Sequence, residues 1–295
     1  MSHSKAIVTI AIGEKYYGVW KRVCEANWQA YADKYAYDLI CIDRPLDTSE
    51  RAAKRSPAWQ KCLILSQDFS ANYERVVWID SDILINTAAA RCIAADVPVS
   101  KVGAVEAMSQ PTHALYVQAL GRLYEFWRAT SLINFEPHQY YTNWGLPSGF
   151  NEVVQTGVLV LSPSHHRKLL EKTYFDYEEK GGREWHMEMR PLSYELMKAD
   201  VVHWLDHRFN LNWGEQRAMY YPFLLESERR LGLASRVWRK ALDVVGGRSN
   251  LRLVALCATT AFLNSYMLHF GGSDLSDMDL VDLTARSWRD LGMWK

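Results

Sequence analysis

Short apolar runs alternate with stretches of helical periodicity along most of this chain. Ala6 to Ile12 is apolar apart from Thr9 and is closed by Gly13, which predicts a first strand. Tyr16, Tyr17 and Gly18 read as a loop. From Val19 to Tyr35, the positions Val19, Val23, Ala26, Ala30 and Lys34 fall at helical spacing. Asp38 to Asp43 predicts a second strand, stopped by Pro45. Strand, helix and strand in this order imply a right-handed parallel unit. Ser56-Pro57 has the form of an N-cap with proline in the first turn, opening a helix over Pro57 to Phe69. Val76 to Ile79 is a short unbroken apolar run, as expected of a strand covered on both faces. Beyond it the pattern predicts a helix after Asn86 through Ala95, a strand over Val102 to Val105, and a helix from Leu115 to Arg128. Phe135 to Phe150 is irregular and mixes His138, Tyr140, Tyr141, Asn143 and Trp144, the composition of an acceptor or lid loop. Val153 to Leu161 is a strong strand with Gly157 inside it, where glycine marks a close approach by backbone or ligand. Helices over His165 to Lys180 and Glu188 to Lys198, a short strand over Val201 to Leu205 and a last element at Met267 to Gly272 complete an α/β pattern.

The chemistry concentrates where the Val76–Ile79 run ends. Asp80 and Asp82 stand there with only Ser81 between them. Charges are rarely buried without a partner, and the carboxyl ends of strands in open α/β sheets are where ligands bind. Residues two apart in extended chain point the same way, so both carboxylates could face one hard cation, Mn²⁺ or Mg²⁺, shared with substrate phosphates. The same pair also suits turn capping, since aspartate favours Asx-turns and N-caps. Asp43, just past the second strand, either accepts hydrogen bonds from a ribose or base or simply turns the chain before Arg44-Pro45. His269 in isolation suits a satisfied core histidine as well as a ligand. His203, Asp206 and His207 at another strand end have ligand-type side chains, or are ordinary polar residues there.

With 295 residues the chain can bury a sizeable core. Its 34 basic and 34 acidic residues cancel, which argues against a nucleic-acid partner. The twelve Trp and sixteen Tyr serve mainly as core, although such rings also stack on sugars and bases. Cys24, Cys41, Cys62, Cys92 and Cys257 are odd in number and lack a C-x-x-C pair, which argues against a disulfide framework or zinc site. The N-terminus lacks the form of a signal peptide, and no apolar run is long enough to span a bilayer, so the expected location is cytoplasmic. Pro222 to Asn250 interleaves Arg229, Arg230, Arg236, Arg239, Lys240 and Arg248 with Leu, Val and Trp. That pattern fits either a helix packed on the rest of the protein or one docked at the inner face of a membrane.

Taken in order, these pieces resemble the A-type (GT-A fold) nucleotide-sugar glycosyltransferases, most of all the retaining glycogenin and bacterial galactosyltransferase kind. The resemblance is carried by the Tyr-containing loop after the first strand, Trp59-Gln60-Lys61, Asp80-Ser81-Asp82, Gln155-Thr156-Gly157-Val158, Glu188-Met189-Arg190-Pro191-Leu192-Ser193 and His269-Phe270-Gly271-Gly272. It departs from the family at Gln155, where Asn is usual, and at Glu188-Met189, where Asp-Gln is usual. Ser273-Asp274-Leu275 also lacks the lysine that often follows the last motif. The resemblance implies a Rossmann-like mixed, mostly parallel sheet flanked by helices. It further implies a catalytic domain over 1–221, a helical basic and apolar segment over 222–266, and a metal-ligand segment over 267–295. Asp80, Asp82 and His269 would hold Mn²⁺ or Mg²⁺. Ile12, Tyr17, Asp43, Lys61, Asp80 and Ser81 would bind a nucleotide diphosphate sugar, with Tyr17 and Asp43 at the nucleoside. Gln155 and Glu188 would flank the reacting hexose, which passes to a hydroxyl of a glycan or lipid-linked acceptor. A sugar nucleotidyltransferase would instead carry a Gly-rich basic loop after the first strand. Gly13 to Gly18 has one lysine and no such run. A non-catalytic nucleotide-sugar or glycan-binding protein of the same fold is the other alternative.

Overall fold

The first structural consequence of the apolar runs is a sheet covered on both faces. The structure, a computed structural model, describes residues 3–128, 134–147, 149–180, 186–225 and 248–291. In chain order these form β1 (Lys5–Ile10), α1 (Glu14–Val19), α2 (Glu25–Tyr35), β2 (Asp38–Ile42), α3 (Glu50–Ala53), β3 (Arg75–Ile79), β4 (Ile83–Ile85) and β5 (Val102–Glu106). There follow α4 (His113–Trp127), α5 (Pro137–Thr142), β6 (Val154–Leu161), α6 (Pro163–Asp176), α7 (Met189–Lys198), β7 (Val202–Trp204), β8 (Leu211–Asn212), α8 (Trp213–Tyr220), α9 (Arg248–Leu263) and β9 (Met267–His269). Six strands make one sheet in the order β2-β1-β3-β6-β5-β7. β1 pairs in parallel with β2 and β3, and β5 with β7, while β6 runs antiparallel to both its neighbours. The sheet is therefore mixed and mostly parallel.

β3 shows why its sequence lacks polar alternation. Val77 and Ile79 enter one apolar cluster, and Val76 and Trp78 enter the other, on the opposite face. Both faces exclude water, so every position is apolar. The first cluster also gathers Trp20 and Trp28 with Ala258, Phe262 and Phe270 from the end of the chain.

Four expectations change. Tyr16, Tyr17 and Gly18 belong to α1, so the first helical region begins at Glu14 and passes through a wide π-helical turn at Trp20–Cys24 into α2. Gly13, at φ +85°, makes the turn that admits this early start. Pro57–Ser66 is a 3₁₀ segment rather than an α-helix, followed by a second at Asp68–Asn72. Every residue from Trp59 to Leu65 is buried, because the segment is wedged between the sheet and α6 and has no solvent face. The expected helix after Asn86 is absent. Asn86 is buried, with its side-chain oxygen accepting from the Ala89 amide at 3.2 Å and its side-chain NH₂ donating to the Phe262 carbonyl at 3.2 Å, and so it turns the chain locally. Within Phe135 to Phe150, Pro137 sets the first turn of α5.

A second sheet, β4-β9-β8, sits beside the first. Ile83 pairs with His269 antiparallel, and Asn212 pairs with His269 in parallel. Of the segment Pro222 to Asn250, residues 226–247 lie outside those described. No described helix is long and apolar enough to cross a membrane.

At Gly103 in β5 an added Cβ would lie 2.9 Å from Val97 Cγ2 and 3.0 Å from Val160 Cβ, both held in the core. Gly103→Ala should lower stability by about 1–3 kcal/mol through overpacking. Urea denaturation checks this, and an unchanged midpoint would contradict the close approach.

Candidate functional site

Three neighbouring parallel strands, β2, β1 and β3, end at the same edge of the sheet; Asp43 and Asp80 directly follow β2 and β3, and Ile12 lies two residues past the end of β1. The Ala11 amide donates to the Ile42 carbonyl at 2.9 Å and holds the first two ends together. Asp43 is exposed there, while Ile12 and Tyr17 are half-buried, with the Tyr17 ring stacked on Trp20 at 6.3 Å. This edge is open to a ligand in the way α/β sheets allow.

Asp80, Asp82 and His269 converge at the β3 end of that edge. Their ligand atoms all lie within 4.8 Å of one another, which fits a single ion. His269 Nε2 is 3.2 Å from Asp82 Oδ1 and 3.9 Å from Asp80 Oδ2. The second sheet makes this possible, because Asp82 immediately precedes β4 and the β4–β9 pairing sets His269 alongside. The Phe270 amide donates to the Asp82 carbonyl at 2.8 Å and locks the two segments. His269 Nδ1 bonds Asn210 Oδ1 at 3.0 Å, which turns Nε2 toward the acids. The Asn210 side-chain NH₂ donates in turn to Gln155 Oε1 at 2.7 Å, and the Gly157 amide donates to the same oxygen at 2.5 Å. Burial alone would discharge His269, but Asp82 and Asp80 outweigh it and raise its pKa. Burial raises Asp80, with Lys61 and His269 pulling the other way. Two carboxylates and an oriented imidazole suit Mn²⁺ or Mg²⁺, so the donor set fits the metal that the motifs imply.

Gly157 has a definite reason to be glycine. A Cβ there would meet His269 Cε1 at 2.7 Å and Nδ1 at 2.8 Å. β6 also slips against β5 at this point: Ala104 faces Leu159, yet Val105 faces Gln155. Such an irregularity re-aims side chains beside a site.

Lys61 and Glu188 lie beneath the metal group. The Lys61 ammonium is 4% exposed and donates to Glu188 Oε1 at 2.8 Å, Asp80 Oδ1 at 3.0 Å and the Thr156 carbonyl at 3.3 Å. All three of its protons are thereby used. Burial opposes its charge, but Asp80 and Glu188 raise its pKa overall. Glu188 Oε1 also accepts from the Thr156 hydroxyl at 3.2 Å. Trp78 Nε1 donates to Asp80 Oδ1 at 2.7 Å, so Oδ1 is occupied and Oδ2 faces His269.

Asp206 accepts from the Arg208 guanidinium at 2.7 Å and caps the following turn, so it is committed there. Among the described residues, Asp80, Asp82 and His269 are the group placed to hold an ion. Asn210, Asn212 and Glu215 also belong to the site. Asn212 Oδ1 accepts from the Glu215 amide at 3.2 Å and caps α8, and Asn-x-x-Glu before a helix is a readable capping signal. Glu215 itself has its carboxyl pushed up to about 8 by burial, which outweighs the pull of His269, with a smaller push from Glu106.

No protein-family model matches this chain, and no curated protein matches it either. Solved structures do. The bifunctional glycosyltransferase WbbM, in its apo form, superposes with a TM-score of 0.50 at 13% identity over 99% of this chain and 51% of that one. The chain thus spans about half the length of WbbM. A glycosyltransferase involved in glycosylation of the major capsid of PBCV-1 aligns with a TM-score of 0.49 at 12% identity, covering 93% of this chain and 97% of that one. The galactosyltransferase LgtC, solved with donor and acceptor sugar analogues, aligns at 0.44 and 12% identity, covering 97% and 99%. The likeness to WbbM establishes a common α/β fold.

Lys61→Met leaves Asp80 and Glu188 buried without their cation. It should cost about 3–5 kcal/mol, and Lys61→Met/Glu188→Leu should recover part of that loss. Chemical denaturation of wild type, single and double variants measures both. A Lys61→Met variant as stable as wild type would contradict the bridge.

Proposed function

We propose that this chain is a metal-dependent glycosyltransferase, moving a hexose from a nucleotide diphosphate sugar, UDP-linked, to a hydroxyl of a glycan or lipid-linked acceptor. The carrying observation is the convergence of Asp80, Asp82 and His269 at the sheet edge that also presents Ile12, Tyr17 and Asp43. The fold shared with WbbM supports the same reading. A divalent cation held by the two aspartates and the histidine would offset the charge that grows on the departing diphosphate. Around it the chain's own groups have distinct tasks. Tyr17 and Asp43 take the nucleoside, with the ring face for the base and the carboxylate for ribose hydroxyls. Lys61 fixes the orientation of Asp80 from below, and Asn210 fixes that of His269. Gln155, whose carbonyl oxygen is held by Gly157 and Asn210, borders the space where the hexose ring would lie. Glu188, named with Gln155 as a flank of that ring, is itself buried and holds Lys61 and the Thr156 hydroxyl in place beneath the metal group. Retention of anomeric configuration follows from the resemblance to the glycogenin kind, and NMR of the first-formed product anomer checks it.

Calorimetric titration of Mn²⁺ with UDP present tests the metal assignment. Asp82→Asn removes a direct ligand and should weaken binding by more than the roughly 10–100-fold that losing an outer-shell partner costs. Equal binding by variant and wild type would refute the site. Turnover with a panel of UDP- and GDP-sugars then separates a transferase from a binding protein, and turnover of a nucleoside triphosphate with a sugar phosphate would point to a nucleotidyltransferase instead.

Gly157→Ala tests the geometry without touching a ligand atom. The added methyl must displace the His269 ring, so metal affinity should fall by about tenfold or more while the fold survives. Circular dichroism and Mn²⁺ titration together read the outcome, and unaltered affinity would contradict the packing of ring on glycine.

A further inference from the structure

Next to the metal group lies a cavity of about 530 Å³, a volume typical of sites for small organic ligands. Its two ends differ in chemistry. One end is bordered by Gln155, Asn212, Glu215 and Gly271. Gln155 is two hydrogen bonds from His269, and Gly271 follows it two positions later, so this end adjoins the transfer site. The other end is walled by α4, which presents Tyr116, Leu120, Leu123, Tyr124 and Trp127 at helical spacing, with Val153 from the start of β6 alongside. Trp127 is the most open of these, 42% exposed, while Leu120 and Leu123 are buried against the cavity.

Asn134, His186 and Asp274 also line the cavity, but the α4 wall itself suits a free oligosaccharide poorly. Aromatic rings accept the C–H face of a sugar, but Leu120, Leu123 and Val153 offer nothing to its hydroxyls, and each desolvated hydroxyl without a partner is costly. An apolar chain or ring loses nothing there and gains burial. We infer that this cavity receives the acceptor, and that the acceptor joins a reacting hydroxyl, at the Gln155–Glu215 end, to an apolar aglycone lying along α4. The inference rests on the glycosyltransferase reading and narrows its acceptor from a glycan or lipid-linked one to an alkyl or aryl glycoside.

Calorimetry with Mn²⁺ and UDP bound compares octyl, 4-nitrophenyl and methyl β-D-galactosides, with the matching glucosides as a second series. The octyl or 4-nitrophenyl compound should bind about tenfold or more tighter than the methyl compound, and which one does so identifies the aglycone as chain or ring. Trp127→Ala, which removes an exposed wall, and Leu120→Trp, which fills the cavity, should each abolish most of that gain. If Leu120→Trp fails to fold, Trp127→Ala decides alone. Equal affinity for methyl and apolar glycosides, or a gain that persists in the folded variants, overturns the inference. UDP–Mn²⁺ binding in the same titrations reports separately on the donor side. Its absence alongside an intact aglycone effect sinks the transferase reading, and its presence without that effect sinks only the acceptor assignment.

Discussion

The charge on Asp80 has to be held at the end of a strand that excludes water on both faces. Trp78 and Lys61 take one of its oxygens, which leaves the other pointed at His269. Lys61 is itself too buried to carry its charge with one partner, and Glu188 supplies the second. The ammonium reaches both acids because the 3₁₀ segment carrying it is pressed flat between sheet and α6. Packing on one face of the sheet and electrostatics at its edge are thus a single arrangement. Disturbing the wedge would move the lysine, and moving the lysine would release a carboxylate of the candidate ion site.

Much of this was legible in the residues themselves. Asp80-Ser81-Asp82 stood at the end of an apolar run, and the place of His269 after it, ahead of Phe-Gly-Gly, marked it as a partner. Gly157 inside a strong strand announced a close approach, which turns out to be the imidazole of His269. Other features left too little trace. β4 and β8 are three and two residues long, shorter than any periodicity can reveal, yet they flank β9 and bring the histidine to the aspartates. Trp59 to Leu65 reads as a helix because its apolar content is high, but burial on every side removes the polar stripe that would tell an α-helix from a 3₁₀ one. Asn86 looked like the entrance to a helix, and its side chain instead completes a turn against Phe262, a partner far along the chain. Asn210 carries no motif. Its role appears only when one histidine and one glutamine side chain meet on either side of it.

The three candidate ligands also differ in when they become available. Asp80 and Asp82 belong to the first third of the chain, and His269 to its last tenth. A chain emerging from the ribosome builds from its N-terminal side. It would present two adjacent carboxylates at the sheet edge long before the imidazole exists. Those acids alone leave the candidate ion site open, and β9 must lie between β4 and β8 before the third arm closes it. The small sheet therefore works as a latch on assembly. The three arms of the candidate site come together only once β9 lies between β4 and β8.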